Sequence, residues 1–108
     1  MILIVNKRLL SSRFKGITLW PFVILKNQNL KNDKFFLNHE RIHLRQQLEM
    51  LVIFFYIWYL AEYLWRYLKS GNSLKAYKNI SLEREAYRRE NDLTYLKNRP
   101  FWAFLKFL

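Results

Sequence analysis

Two histidines four residues apart, His39 and His43, enclose Glu40 in the run His-Glu-Arg-Ile-His. On a helix that spacing stacks the two imidazoles one turn apart, with about 5–6 Å between Cβ atoms. Both can then reach one ion at about 2.0–2.1 Å. Glu40 sits beside His39 on the same side, placed to take a proton from a metal-bound water without itself coordinating. The reading is a zinc site with Glu40 as its catalytic base.

A catalytic zinc takes three protein ligands, and the rest of the composition narrows the third. There is no cysteine, so disulfides, thiolate ligands and a cysteine nucleophile are excluded, and His39 and His43 are the only histidines. The third ligand must therefore be a carboxylate. On residue type alone, Glu49, Glu83, Glu85, Glu90 and Asp92 are all open.

At this point the sequence resembles the gluzincin metallopeptidases, in which HExxH is followed by a second helix carrying a Glu ligand within Glu-x-x-Ala-Asp. Here Leu82-Glu83-Arg84-Glu85-Ala86-Tyr87 is similar, with Ala86 three residues after Glu83. The resemblance implies a metal set of His39, His43 and Glu83, and it spans roughly residues 35–90. It departs from the family at Tyr87, where an Asp that orients a zinc-binding histidine is expected, so Tyr87 or a backbone carbonyl must substitute. Glu85 lies roughly 200° around the helix from Glu83 and is expected to pair with Arg89, four residues on. The transition-state stabiliser is left among Tyr77, Tyr87, Arg84 and Arg88.

The elements that must position these groups are few. At 108 residues the chain is expected to form one domain, residues 1–108, of an α-rich α+β type. A small N-terminal sheet would pack on a long HExxH helix and a second, Glu-bearing helix, the minimal single-domain form of the gluzincin fold. Met1 to Val5 suits a short strand, as does the β-branched and aromatic run Gly16 to Leu25, which Pro21 must either place at an edge or break in two. Gluzincins bind extended substrate along such an edge strand, and Gly16 to Leu25 is the segment that can serve or, equally, fill a core face.

Lys26 to Lys34 has the composition of a loop. Asn38 is expected to cap a helix from about His39 to Leu68, roughly 45 Å long, with Gly71 as its left-handed stop. Ser81 then caps a helix from Leu82 to about Lys97, and Pro100 opens a final helix from Phe101 to Leu108.

Nineteen basic against eight acidic residues give a net charge of +11, with 19% aromatic residues. The charge favours an anionic partner, and the aromatics favour a membrane surface over nucleic acid. Met50 to Ala61 is apolar on every side, about 18 Å long and too short to cross a bilayer, so partial insertion, burial in a homo-oligomer, or an ordinary core role is expected. The apolar start before Lys7 and Arg8 is too short for a secretory signal, so the default location is cytoplasmic, peripheral to or partly inserted in a membrane.

The functional expectation is zinc-dependent hydrolysis of amide bonds in a peptide or protein. Its alternative is a non-catalytic, membrane-associated protein stapled by structural zinc. A third reading has Arg84, Arg88 and Arg89 grip nucleic-acid phosphates.

Overall fold

A computed structural model describes residues 1–6 and 15–108; Lys7 and Arg8 lie outside the described residues. The fold is α-rich α+β, with a three-stranded sheet at the N-terminus followed by helices. The strands are β1 (Ile2–Val5), β2 (Gly16–Leu19) and β3 (Phe22–Leu25). Their order is β1-β3-β2, with β3 parallel to β1 and antiparallel to β2. The Gly16–Leu25 run does break at Trp20-Pro21, which turns it into a hairpin whose first half, β2, is an edge strand. Val23 and Leu25 of β3 pack with Leu44 of the following helix, and Leu3 and Val5 close over them.

That helix, α1 (Lys34–Glu49), starts five residues earlier than expected. Asp33 caps it by accepting a hydrogen bond from the Phe36 amide (3.0 Å). Asn38 is buried within α1 and does not cap it; its side-chain amide donates to the carbonyls of Arg89 (3.4 Å), Glu90 (2.8 Å) and Asp92 (3.0 Å). Those bonds satisfy carbonyls left open at the end of α4 (Ser81–Arg89), which is one reason α4 does not run on to Lys97. The other is Asp92, whose side chain accepts from the Thr94 amide and hydroxyl and holds a turn before α5 (Tyr95–Asn98).

The single long helix expected from His39 to Leu68 is two helices. α1 stops at Glu49, and α2 (Ile53–Ser70) leaves at 112° to it. Between them Leu51 and Val52 take positive φ values of 56° and 58°, a conformation that costs of order 1–3 kcal/mol per residue and is poorest for a β-branched side chain. The bend is repaid by burial. It turns Met50 and Phe55 into a core with Ile80, Leu82 and Phe104, and it returns α2 to the site that a straight helix would leave behind.

α2 ends as expected at Gly71, left-handed at φ 66°, its amide donating to Tyr67 (2.8 Å). The connection that follows is itself helical, α3 (Ser73–Asn79), capped by the Asn72 side chain. Ser81 opens α4 without capping it, because Glu62 of α2 takes both its amide and its hydroxyl (2.5 and 2.6 Å). The final helix shrinks to a 3-10 turn, Ala103–Phe107, entered through Trp102 at φ 61°.

Candidate metal centre

α1 presents His39, Glu40 and His43 on its buried side, and α4 packs across it with Glu83 in its first turn. One donor atom from each of His39, His43 and Glu83 lies within 4.8 Å of the others. Glu83 Oε1 stands 3.0 Å from His43 Nε2 and 3.4 Å from His39 Nε2. A tetrahedral ion with bonds of about 2.0–2.1 Å separates its donors by about 3.4 Å, a spacing close to both Glu83 distances, and the two imidazole donors lie within 4.8 Å of each other.

The outer nitrogens are also engaged. His43 Nδ1 meets Gln46 Oε1 at 2.8 Å. The Gln46 amide nitrogen donates to two groups that can only accept, the Leu82 carbonyl (3.1 Å) and Glu85 Oε1 (2.8 Å), so its oxygen must face His43. Nδ1 therefore carries the proton, and Nε2 is turned to the centre. Glu90 Oε1 lies 3.5 Å from His39 Nδ1 and does the same for the other imidazole. Glu90 thus fills the place for which the sequence suggested Tyr87 or a backbone carbonyl. Tyr87 instead sets its ring edge-on against His39, with centroids 4.5 Å apart.

Without a cation the cluster is an ion-paired triad. Burial pulls the His39 imidazole down, but hydrogen bonds to Glu83 and Glu90 and the charges of Glu83 and Glu40 outweigh it and push it up to about 10. His43 is also raised, burial being outweighed by the charge of Glu83. Burial alone would raise the Glu83 carboxyl, yet the two histidines hold it well below the usual carboxylate range.

Glu40 stays outside this triad, with its Oε2 accepting a hydrogen bond from the Thr18 hydroxyl of β2. β2 can lie this close because Gly16 has no side chain: a Cβ there would meet Phe36 at 2.7 Å. Gln47, next to Gln46, ties the same strand down through Thr18 O (2.8 Å) and the Trp20 amide (2.7 Å). A cavity of about 230 Å³ opens between β2, α1 and the start of α2, lined among others by Glu40, Thr18, Tyr56, Tyr59 and Tyr77. A second hollow of about 480 Å³ shares Gly16, His39, Glu40 and Tyr77 with it.

Tyr59 joins the cluster from outside any motif in the sequence. Its hydroxyl donates to Glu83 Oε2 (2.6 Å), and burial, then the Glu83 charge, raises its pKa so that it remains a donor. On one unbroken helix it would lie about 24 Å along the axis from His43. Tyr77 lines the cavity and meets the Tyr87 hydroxyl at 3.2 Å. Arg84 and Arg88 turn the other way: Arg84 donates to Phe107 O (3.1 Å) and Asn79 (3.0 Å), and Arg88 lies over the Phe107 ring.

Glu85 does not pair with Arg89. It is fully buried and binds Arg99 through Nε (2.5 Å) and Nη2 (3.1 Å), while Tyr95 donates to it at 2.6 Å. Arg99 also reaches Glu49 (2.5 Å), which removes Glu49 from the ligand alternatives, and Asp92 is spent on its turn. Both residues lie within α4, but its buried face claims Glu85 while Arg89 turns over the Tyr95 and Phe107 rings. Comparison with protein-family models, with curated proteins and with solved structures finds no match to this chain.

Proposed function

We propose that this protein is a zinc-dependent peptidase of minimal gluzincin type, holding the ion through His39, His43 and Glu83. The observation that carries the reading is the convergence of these three donors beside a carboxylate, Glu40, that takes no part in their cluster. A bound zinc would supply Lewis-acid polarisation of a carbonyl and lower the pKa of a coordinated water.

The chain's own residues do the rest. Glu40, held by Thr18, accepts a proton from the attacking water and passes it to the leaving amine. Tyr77 lines the cavity as a hydroxyl donor for the developing oxyanion, while Tyr59 spends its one proton on Glu83 and holds that carboxylate in place. β2 offers an extended peptide an edge above α1, with the Thr18 carbonyl already occupied by Gln47 and Tyr56 and Gly16 standing at the open end. Gln46 and Glu90 keep both imidazoles aimed at the centre.

Glu40→Gln tests this reading, because the amide cannot take up the proton although the ligands are unchanged. On a peptide library read by mass spectrometry, cleavage should fall by about 10²–10⁴-fold with the metal content intact. Equal cleavage by variant and parent, or none by either, would leave a structural metal in place of a catalytic one.

A further inference from the structure

The second helix is built inside out. Ile53, Phe54, Ile57, Leu60, Leu64 and Leu68 recur at helical spacing and are all exposed, Ile53 at 69% and Leu68 at 83%. Three polar side chains of α2 turn inward: Glu62 to Ser81, Tyr59 to Glu83 and Tyr63 to Ser73. Water is a poor solvent for such a face. It continues past the bend through Leu51 and across a shallow apolar groove of about 680 Å³ to Trp102 and Leu108 of the C-terminal segment.

The charge pattern names the occupant. Every glutamate is engaged within the fold, by Thr18, Arg99, Ser81, His43, Tyr95 or His39, and Asp33 and Asp92 cap turns. The acids therefore face inward or sit in caps, in a chain whose net charge is +11. At the C-terminal end of the stripe, Lys69 Nζ lies 4.0 Å and Arg66 Cζ 5.2 Å from the Trp65 ring, the Trp-with-cation pairing suited to headgroup depth. No single helix among the described residues is long and apolar enough to cross a membrane. With Glu62 and Arg66 on its inner side, α2 is suited to lying in the interface plane. A second copy of the chain would bring a like charge of +11 against this face, whereas an anionic bilayer complements it.

We infer that the outward stripe of α2, extended by Leu51 and the C-terminal aromatics, docks the protein on an anionic lipid surface. This holds whether or not the metal centre hydrolyses peptides.

The test is co-sedimentation of the full chain with vesicles of phosphatidylglycerol and phosphatidylcholine in equal parts. The parent is compared with Ile57→Glu/Leu64→Glu, with the uncharged pair Ile57→Ser/Leu64→Ser, and with Asn29→Glu/Asn32→Glu, which makes the same charge change on the exposed 3-10 turn Gln28–Asn32. Circular dichroism confirms that each is folded. The parent should sediment, both α2 variants should lose about tenfold or more in partitioning, and the 3-10 turn variant should keep most of it. A parent that stays in solution, or α2 variants that sediment like the parent, would overturn the inference. So would a parent that ignores vesicles and instead forms a dimer lost in the α2 variants.

Discussion

Replacing Glu85 with alanine separates the packing network from the proposed metal ligands, and the structure sets its cost. The carboxylate is fully buried and accepts from Arg99 Nε and Nη2, Tyr95 and Gln46. Removing one member of a buried pair leaves an uncompensated charge and typically costs 3–5 kcal/mol. Arg99 keeps Glu49 at 2.5 Å, so the lower end, about 3 kcal/mol, is expected.

Against a total stability of roughly 5–15 kcal/mol this is a large share. With a urea slope of about 1–3 kcal/mol/M it moves the unfolding midpoint down by about 1–3 M. The assay is urea unfolding of chelated protein followed by circular dichroism, which keeps metal linkage out of the comparison. Zinc should then still stabilise Glu85→Ala, by about 2.7 kcal/mol at a hundred times its dissociation constant, since no ligand has been removed. A surface ion pair with Arg89 would cost only about 0.3–0.5 kcal/mol, so a midpoint coincident with the parent's would refute the buried-network argument.

The metal-free triad sets a pH dependence. His39 titrates near 10 when folded, above its unfolded value of about 6.5, so its contribution is whole below about pH 6.5 and is lost as pH rises towards 10. Glu83 is shifted down, so its contribution is present above about pH 4.3 and is lost as pH falls further. Chelated protein should lose stability on both flanks, and a urea midpoint that rises from pH 7 to 10 would contradict this. Zinc affinity, measured by competition with a chelator, should strengthen over that range because the ion displaces the His39 proton. Gly16→Ala should cost about 1–3 kcal/mol and push β2 off α1, since its Cβ would meet Phe36 and lie 3.0 Å from the Ile24 carbonyl; an unchanged melting temperature would show that the strand has room.

The parts of this site readable from sequence are those governed by local spacing. His39, Glu40 and His43 are held together by one helical turn, Pro21 breaks the Gly16–Leu25 run into a hairpin, and Gly71 ends α2 because few other residues accept its φ. Gln46, three residues after His43, and Glu90, seven after Glu83, share faces with the cluster, a pattern the sequence also carries. The bend at Met50–Val52 carries no such signal. No glycine or proline marks it, and its strain is repaid by contacts to Ile80, Leu82 and Phe104 far along the chain. Tyr59 was hidden with it, and so was the inverted face of α2, because a run that is apolar all round does not reveal which side the fold will cover. The partner of Glu85 is hidden for a related reason: Arg99 lies fourteen residues on, outside α4.

The most direct measurement is metal content. The chain purified without added metal should carry about one zinc per molecule by elemental analysis, and Glu40→Gln should carry the same. Glu83→Ala, left with two imidazoles and water, should be nearly empty. A parent that contains no metal and takes up none on titration would contradict the account, as would a Glu83→Ala variant that stays fully loaded.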